Sequence, residues 1–410
     1  MKANQMIGLA TVVILGLFAI GCGSEEAAQQ SASSETDLQA KADALAQQNI
    51  IVDTHVDIPY RMTEYFEDIS GRTELGDFDY VRAREGGLDV PFMSIYVASE
   101  FQETGGAKAE AERLIDMVEK FTTDWPDQFA MATSVSDVES LFGSGKIALA
   151  MGMENGAPVE DNLENLAHFH QRGIRYITLT HGKANQICDS SYDPERKWNG
   201  LSPFGRDVVA EMNRLGIMVD ISHVSDSTFY QVLRLTKAPV IASHSALRQF
   251  TPGWERNMSD DMLKALAENG GVIMIAFGSS FLSETFQKQN DTIQEGVADY
   301  LKENNLKDGS PEAVIYSQKQ RKANPIGTVD DVVKHIDRVV QLVGIDHVGF
   351  GSDFDGVFGL PAGLQDVSGF PNLIEALLKK GYSEEDIAKI CSGNVLRVWR
   401  QVEEIAAASN

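Results

Sequence analysis

Along the chain, a short run of apolar residues repeatedly gives way to a polar turn and then to a longer amphipathic stretch. The short runs read as strands over residues 50–57 (IIVDTHVD), 88–98 (LDVPFMSIYVA), 146–154 (KIALAMGME), 174–181 (IRYITLTH), 217–223 (IMVDISH), 239–244 (PVIASH), 271–277 (GVIMIAF) and 347–353 (HVGFGSD). Near-continuous branched residues such as Ile50, Ile51 and Val52 suit parallel strands buried on both faces. Between them lie helical patterns, among them GRDVVAEMNRLG, SDSTFYQVLRLTK and SDDMLKALAENGG. Strand and helix in alternation around eight repeats predict an α/β fold, a closed (β/α)8 barrel of TIM type. A doubly wound open sheet would carry a glycine-rich phosphate loop after an early strand, and no such loop stands in that context.

The 410 residues, 43 % of them hydrophobic, suffice for one large barrel. A formal charge of -25 without a basic tract argues against nucleic acid, because nothing would displace phosphate counterions. The first residues read differently. Lys2, the apolar run from Met6 to Ile20 and then GCGSEE have the regions of a secretory signal. Ala19-Ile20-Gly21-Cys22 looks like the lipobox of bacterial lipoproteins, in which the cysteine carries lipid; an uncleaved anchor helix is the alternative. The expected organisation is a lipoprotein signal peptide over 1–21, lipidation at Cys22, a flexible tether over 22–36 and a single catalytic barrel over 37–410. The protein would then be exported and membrane-anchored in a bacterium, on the periplasmic or cell-surface side. Cys188 and Cys391 either pair, as an exported compartment permits, or remain two free thiols.

In such a barrel, chemistry belongs at the C-terminal ends of the strands. The predicted strands end in His55-Val56-Asp57, Glu154, His181, His223, His244 and Asp353. Alternation would put Asp53, His55 and Asp57 on one face. A lone His or Asp at a strand end is commonly a cap on the next turn. So many at one rim, when histidine numbers 8 of 410 residues, points instead to a metal site. His168, His170, His335 and His347 fall on helices or at the opposite rim. Asp53 lies deeper and is read as architectural, and Asp355 competes with Asp353 as a residue two positions away.

Imidazole with carboxylate suits Zn²⁺ better than Mg²⁺ or Ca²⁺; Mn²⁺, Co²⁺ and Fe²⁺ also accept such donors. His55, Asp57, Glu154, His223 and His244 are too many for one tetrahedral ion that also holds water. They divide between two ions if Glu154 bridges. Two ions about 3.5–4 Å apart can share a hydroxide, lower its pKa towards ~7 and polarise a carbonyl.

From about Gln39 to Glu404 the chain resembles the membrane (renal) dipeptidases, amidohydrolase-like metallopeptidases. The resemblance rests on DTHVDIP, MENG, ITLTHGKANQICDSS, VDISHVS, IASHSA, ERNMSDDML and GFGSDFDGV, in that order and at strand ends. It implies a dizinc enzyme that hydrolyses dipeptides, L-Xaa-L-Xaa and L-Xaa-D-Xaa. His55 and Asp57 would bind one zinc, His223 and His244 the other, and Glu154 would bridge them. His181 would hydrogen-bond the scissile carbonyl, Arg256 would pair with the substrate carboxylate, and Asp353 would move protons as a metal-bridging hydroxide attacks. Val56, Tyr60 and Asn155 stand where many members have Asn, Trp and a second Gly, which bears on the pocket wall rather than the ligands.

Without the resemblance, Arg256 would read as a surface partner of Asp260 or Asp261, and Arg248 is the reserve candidate for the carboxylate. Residues 278–327 exceed what one loop and helix need. A lid, a plain surface insertion or a homodimer contact all fit them. Rival functions are a related barrel hydrolase of N-acyl amino acids, lactones or phosphoesters, and a non-catalytic lipoprotein that binds metal or peptides.

Overall fold

Branched side chains pack well on a pleated surface, and the apolar runs form strands. A computed structural model describes residues 37–307 and 309–409. Its strands are β1 (Ile51–Val56), β2 (Leu88–Tyr96), β3 (Phe129–Met131), β4 (Ile147–Glu154), β5 (Ile174–Thr178), β6 (Met218–Asp220), β7 (Ile241–Ser245), β8 (Val272–Ile275) and β9 (Val348–Phe350). Every pairing is parallel. β2 bonds both β1 and β4, and β9 bonds both β1 and β8, so the ring closes without β3. This is the expected (β/α)8 TIM barrel. β3 is an additional strand that pattern did not reveal. It pairs only along the start of β4, Phe129 opposite Ile147, and three residues are too few to display a period.

Alternation along the strands divides the apolar residues into two clusters. Val52, Phe92, Ala150, Tyr176, Met218, Ile241 and Met274 form one, together with Val395 and Trp399 of the C-terminal helix Asn394–Ser409. Trp399 lies 5.3 Å from Phe92, ring centre to ring centre, so this helix closes the mouth opposite the site. Their neighbours Ile51, Met93, Met151, Ile177, Val219 and Ile273 belong to the larger cluster beneath the surrounding helices. The predicted helices begin where serine can cap them. Ser202, Ser225 and Ser259 each accept a backbone N–H in the first turn of Pro203–Leu215, Asp226–Leu235 and Asp260–Glu268.

Several strands stop earlier than the sequence suggested. β5, β6 and β9 end at Thr178, Asp220 and Phe350, so His181, His223 and Asp353 stand in the loops that follow. His223 and Asp353 both take φ of +67°, a left-handed conformation that L-residues adopt at a cost of about 1–3 kcal/mol. The face expected to join Asp53, His55 and Asp57 is also broken. The pairing of β1 shifts register between Asp53 and Val56. Asp53 instead accepts the backbone N–H of His55 and Ser352, and burial lifts its carboxyl to about 6.

Cys188 and Cys391 are both buried and free, which removes the disulfide alternative. The expected signal peptide, Cys22 and the tether lie outside the described residues. Among the described residues no helix is long and apolar enough to cross a membrane. The extra chain at 278–327 forms helices Ser279–Leu282, Glu284–Glu303 and Pro311–Ala323.

Candidate metal centre and substrate pocket

The C-terminal mouth of the barrel gathers the residues singled out above. His55 comes from β1, and Asp57 follows at the N-cap of helix Ile58–Glu64. Glu154 ends β4, and His244 sits in β7. His55 Nε2 lies 3.4 Å from Asp57 Oδ2 and 3.4 Å from Glu154 Oε2. The other oxygen of Glu154, Oε1, lies 3.2 Å from His223 Nε2, 3.3 Å from His244 Nε2 and 3.5 Å from His181 Nε2. Asp353 joins His55 and Asp57, with ligand atoms of all three within 4.8 Å of one another. One carboxylate thus faces two clusters of donors.

Hydrogen bonds behind two imidazoles settle which nitrogen is bare. Ser243 Oγ donates its only proton to Asp220 Oδ2 at 2.6 Å, so at 2.8 Å it must accept from His244 Nδ1. Tyr176 Oη donates to Thr54 O at 2.9 Å, so at 2.8 Å it accepts from His55 Nδ1. Both Nε2 lone pairs are therefore left facing the mouth, the arrangement a metal ligand needs. His55 Nε2 is buried without a hydrogen-bond partner, as is His223 Nδ1. A Cβ at residue 152 would come within 1.9 Å of the Tyr176 ring, so only glycine there lets the phenol reach His55.

The electrostatics ask for positive charge. Burial opposes a charge on His55, yet Tyr176, Asp57 and Glu154 draw it well above its ordinary value. Burial likewise works against the Glu154 carboxylate, and the surrounding histidines hold it well below the usual range. Burial and the nearby Arg256 keep His223 uncharged, and burial with His55 does so for His244. Asp353 is pushed well above the carboxylate range by burial and, against the pull of His55, by the charges of Asp57 and Glu154. Bare nitrogens and crowded acids fit divalent cations, which would replace the protons these groups otherwise compete for.

Beside the donors lies a cavity of about 290 Å³ whose wall includes Tyr60, Tyr96, Tyr192, Phe281 and Val357. Arg256 is buried, not on the surface, and does not pair with Asp260 or Asp261. Its Nη2 donates to His244 O at 2.6 Å and Nη1 to Ser245 Oγ at 2.9 Å, with the guanidinium 5.0 Å from the Phe281 ring centre. The charge of Arg248 is already met by the Asp226 carboxylate, at 2.7 and 2.6 Å, whereas the bonds of Arg256 go to Ser245 Oγ, His223 Nε2 and His244 O, none of them a carboxylate. Asp355 turns away from Asp353. The strand has already ended, and Asp355 accepts the Asp77 N–H at 2.8 Å and faces Arg61 at 3.3 Å. His335 is held between Leu247 N–H and Leu282 O, and His347 bonds Gly271 O, away from the site as expected. Sequence reasoning missed Asp220, Ser243 and Tyr176. VDISH and IASHSA displayed the first two, but nothing in the spacing tied either to an imidazole.

A closed parallel barrel with such a mouth defines the class of metal-dependent barrel hydrolases. The profile of the family described as membrane dipeptidase (Peptidase family M19) matches residues 39–410. The dipeptidase tcpJ of Claviceps purpurea (strain 20.1) is 34 % identical over 340 residues, covering 81 % of this chain and 71 % of its own. The dipeptidase aclJ of Aspergillus oryzae is 35 % identical over 355 residues, covering 85 % and 75 %. Among solved structures, the probable dipeptidase PvdM from Pseudomonas aeruginosa has a TM-score of 0.76 at 28 % identity, covering 90 % of this chain and 100 % of that one. A metallo peptidase from Rhodobacter sphaeroides, liganded with a phosphinate mimic of the dipeptide L-Ala-D-Ala, has a TM-score of 0.70 at 26 % identity, covering 86 % and 99 %. The chain belongs to the membrane dipeptidase family, M19, and is a metal-dependent dipeptidase.

Proposed function

We propose that this enzyme hydrolyses L-Xaa-L-Xaa and L-Xaa-D-Xaa dipeptides with two zinc ions, one held by His55 and Asp57 and the other by His223 and His244, both touching Glu154. The observation that carries the proposal is the division of Glu154, one oxygen facing His55 and the other facing His223 and His244. The likeness to a metallo peptidase liganded with an L-Ala-D-Ala mimic supports tolerance of a D-residue. Two bound cations would supply a water of lowered pKa and a Lewis-acid contact for the scissile carbonyl.

The chain's own groups do the rest. His181, kept below its ordinary range chiefly by burial, is neutral and offers one N–H to the carbonyl oxygen as charge develops there. Asp353, grouped with His55 and Asp57 at the mouth, accepts a proton from the attacking water at its carboxylate and passes it to the departing amine nitrogen. Arg256 grips the free C-terminal carboxylate, which limits substrates to short peptides. Export and lipid attachment at Cys22 belong to the same proposal, supported by the apolar run and lipobox-like residues of the sequence.

The test is a panel of L-L and L-D dipeptides, with their C-terminal amides, on protein whose metal content has been measured. Wild type is expected to favour free carboxylates. Arg256→Ala is expected to lose about 10²-fold or more in kcat/KM on dipeptides and little on amides. Equal wild-type rates on acids and amides would refute the carboxylate grip, and full activity with one bound ion would refute the paired site.

A further inference from the structure

The inner cavity is small for a substrate with two large side chains, being close to the lower limit of the roughly 300–1,000 Å³ that ligand sites occupy. It does not stand alone. A second cavity of about 550 Å³ shares Tyr192 and Phe281 with it and adds Pro252, Trp254, Gln287 and Asn290. Trp254 joins the two shared residues into a continuous aromatic wall. Tyr192 lies 5.6 Å from the His223 ring and 6.1 Å, edge to face, from Trp254. Trp254 stacks on Phe281 at 5.4 Å and 21°. Phe281 in turn carries the Arg256 guanidinium. The wall therefore runs from the donor cluster, past Phe281 and the Arg256 packed on it, into the outer chamber.

Tyr192 is 42 % exposed although it packs against a buried imidazole. A single exposed ring is ordinary, but here it opens onto a chamber with two further rings converging on it. We infer that this chamber, walled by Tyr192, Trp254 and Phe281, is the compartment for a bulky aromatic side chain on the C-terminal residue of the dipeptide. The inference rests on the role proposed for Arg256. A carboxylate on that guanidinium puts the C-terminal α-carbon beside Phe281, and the route from there past Tyr192 leads outward into the chamber. The side of the inner cavity nearer Asp57, Tyr60 and Tyr96 is left for the N-terminal residue. Aromatic rings favour offset or edge contacts with another ring, which the Tyr192–Trp254 pair, inclined at 68°, is set to provide. Phe281, Gln287 and Asn290 come from the 278–327 segment, so the extra chain contributes directly to substrate choice.

The experiment compares kcat/KM for Gly–Phe and Gly–Gly in the metal-loaded wild type, Trp254→Ala and Trp254→Phe, with calorimetric binding of both peptides alongside. The wild-type preference for Gly–Phe is expected to exceed about tenfold, the scale on which apolar pockets discriminate. It should collapse towards unity in Trp254→Ala and survive in Trp254→Phe. A wild-type ratio near one, or a ratio that Trp254→Ala leaves intact, overturns the compartment. Absence of hydrolysis of every dipeptide overturns the reading of the site instead. In that event the binding arm still judges the chamber: tighter Gly–Phe binding that depends on Trp254 upholds it, and equal affinity rejects it.

Discussion

The Ser243 hydroxyl has one proton, and Asp220 takes it, so the tautomer of His244 is decided by a residue that never faces the mouth. Tyr176 does the same for His55. Support of this kind tunes ligand basicity and orientation, and its removal commonly lowers metal affinity 10- to 100-fold. Ser243→Ala is accordingly expected to weaken binding of the cation proposed for His223 and His244 by about that factor, read by zinc titration against a competing chelator. Unchanged affinity would mean that the imidazole holds its orientation without the hydroxyl. The ligand candidates were legible because histidine is scarce and falls repeatedly at strand ends. Their supporting residues were not, because Ser, Tyr and Asp occur throughout the chain and acquire meaning only from what they touch.

At the scale of elements, the 278–327 segment is fastened rather than loose. Arg321, on helix Pro311–Ala323, bonds both oxygens of Asp77, at 2.6 and 2.5 Å. Asp77 and Asp355 then exchange backbone N–H donors, at 2.8 and 3.1 Å, so a helix of the insertion is tied to the loop that carries Asp353. Both partners of the pair are nearly inaccessible, at 4 % and 0 % of their side-chain surface. Leaving a buried charge without its partner costs about 3–5 kcal/mol. Arg321→Met is expected to lose that much in urea unfolding, and adding Asp77→Asn should recover part of it. A loss below about 1 kcal/mol would show that water or Lys322 replaces the guanidinium. The sequence displayed the surplus chain, but partners 244 positions apart carry no local signal of their meeting.

For the molecule as a whole, a formal charge of -25 makes buried acids a liability that pH can expose. Asp89, near the start of β2, is the clearest case away from the mouth. Burial raises its carboxyl to about 6, against the hydrogen bond from Ile51 N–H and the nearby Arg84. The unfolded chain has the ordinary value of about 3.9. Between roughly pH 4 and 6 the folded state therefore binds the proton more tightly, and stability falls as pH rises through that window. Asp89→Asn removes this slope. Relative to wild type, the variant should gain on the order of 2 kcal/mol between pH 4 and pH 7 in urea melts at matched metal content. Parallel pH profiles for the two proteins would contradict it.

Strand-forming runs and the period of the intervening helices are local properties, and they were enough to predict a closed parallel barrel with its polar residues at one mouth. The same locality explains the errors. β3 was too short to show a period, and β5, β6 and β9 release the chain before His181, His223 and Asp353, where alternation no longer governs direction. What only the folded chain decided is which groups meet: the division of Glu154 between His55 on one oxygen and His223 and His244 on the other, the burial of Arg256 against His244, the removal of Asp355 to Asp77, and the aromatic wall from Tyr192 to Phe281. Those contacts join segments far apart in the chain, so their energies depend on packing and desolvation that no stretch of sequence contains by itself.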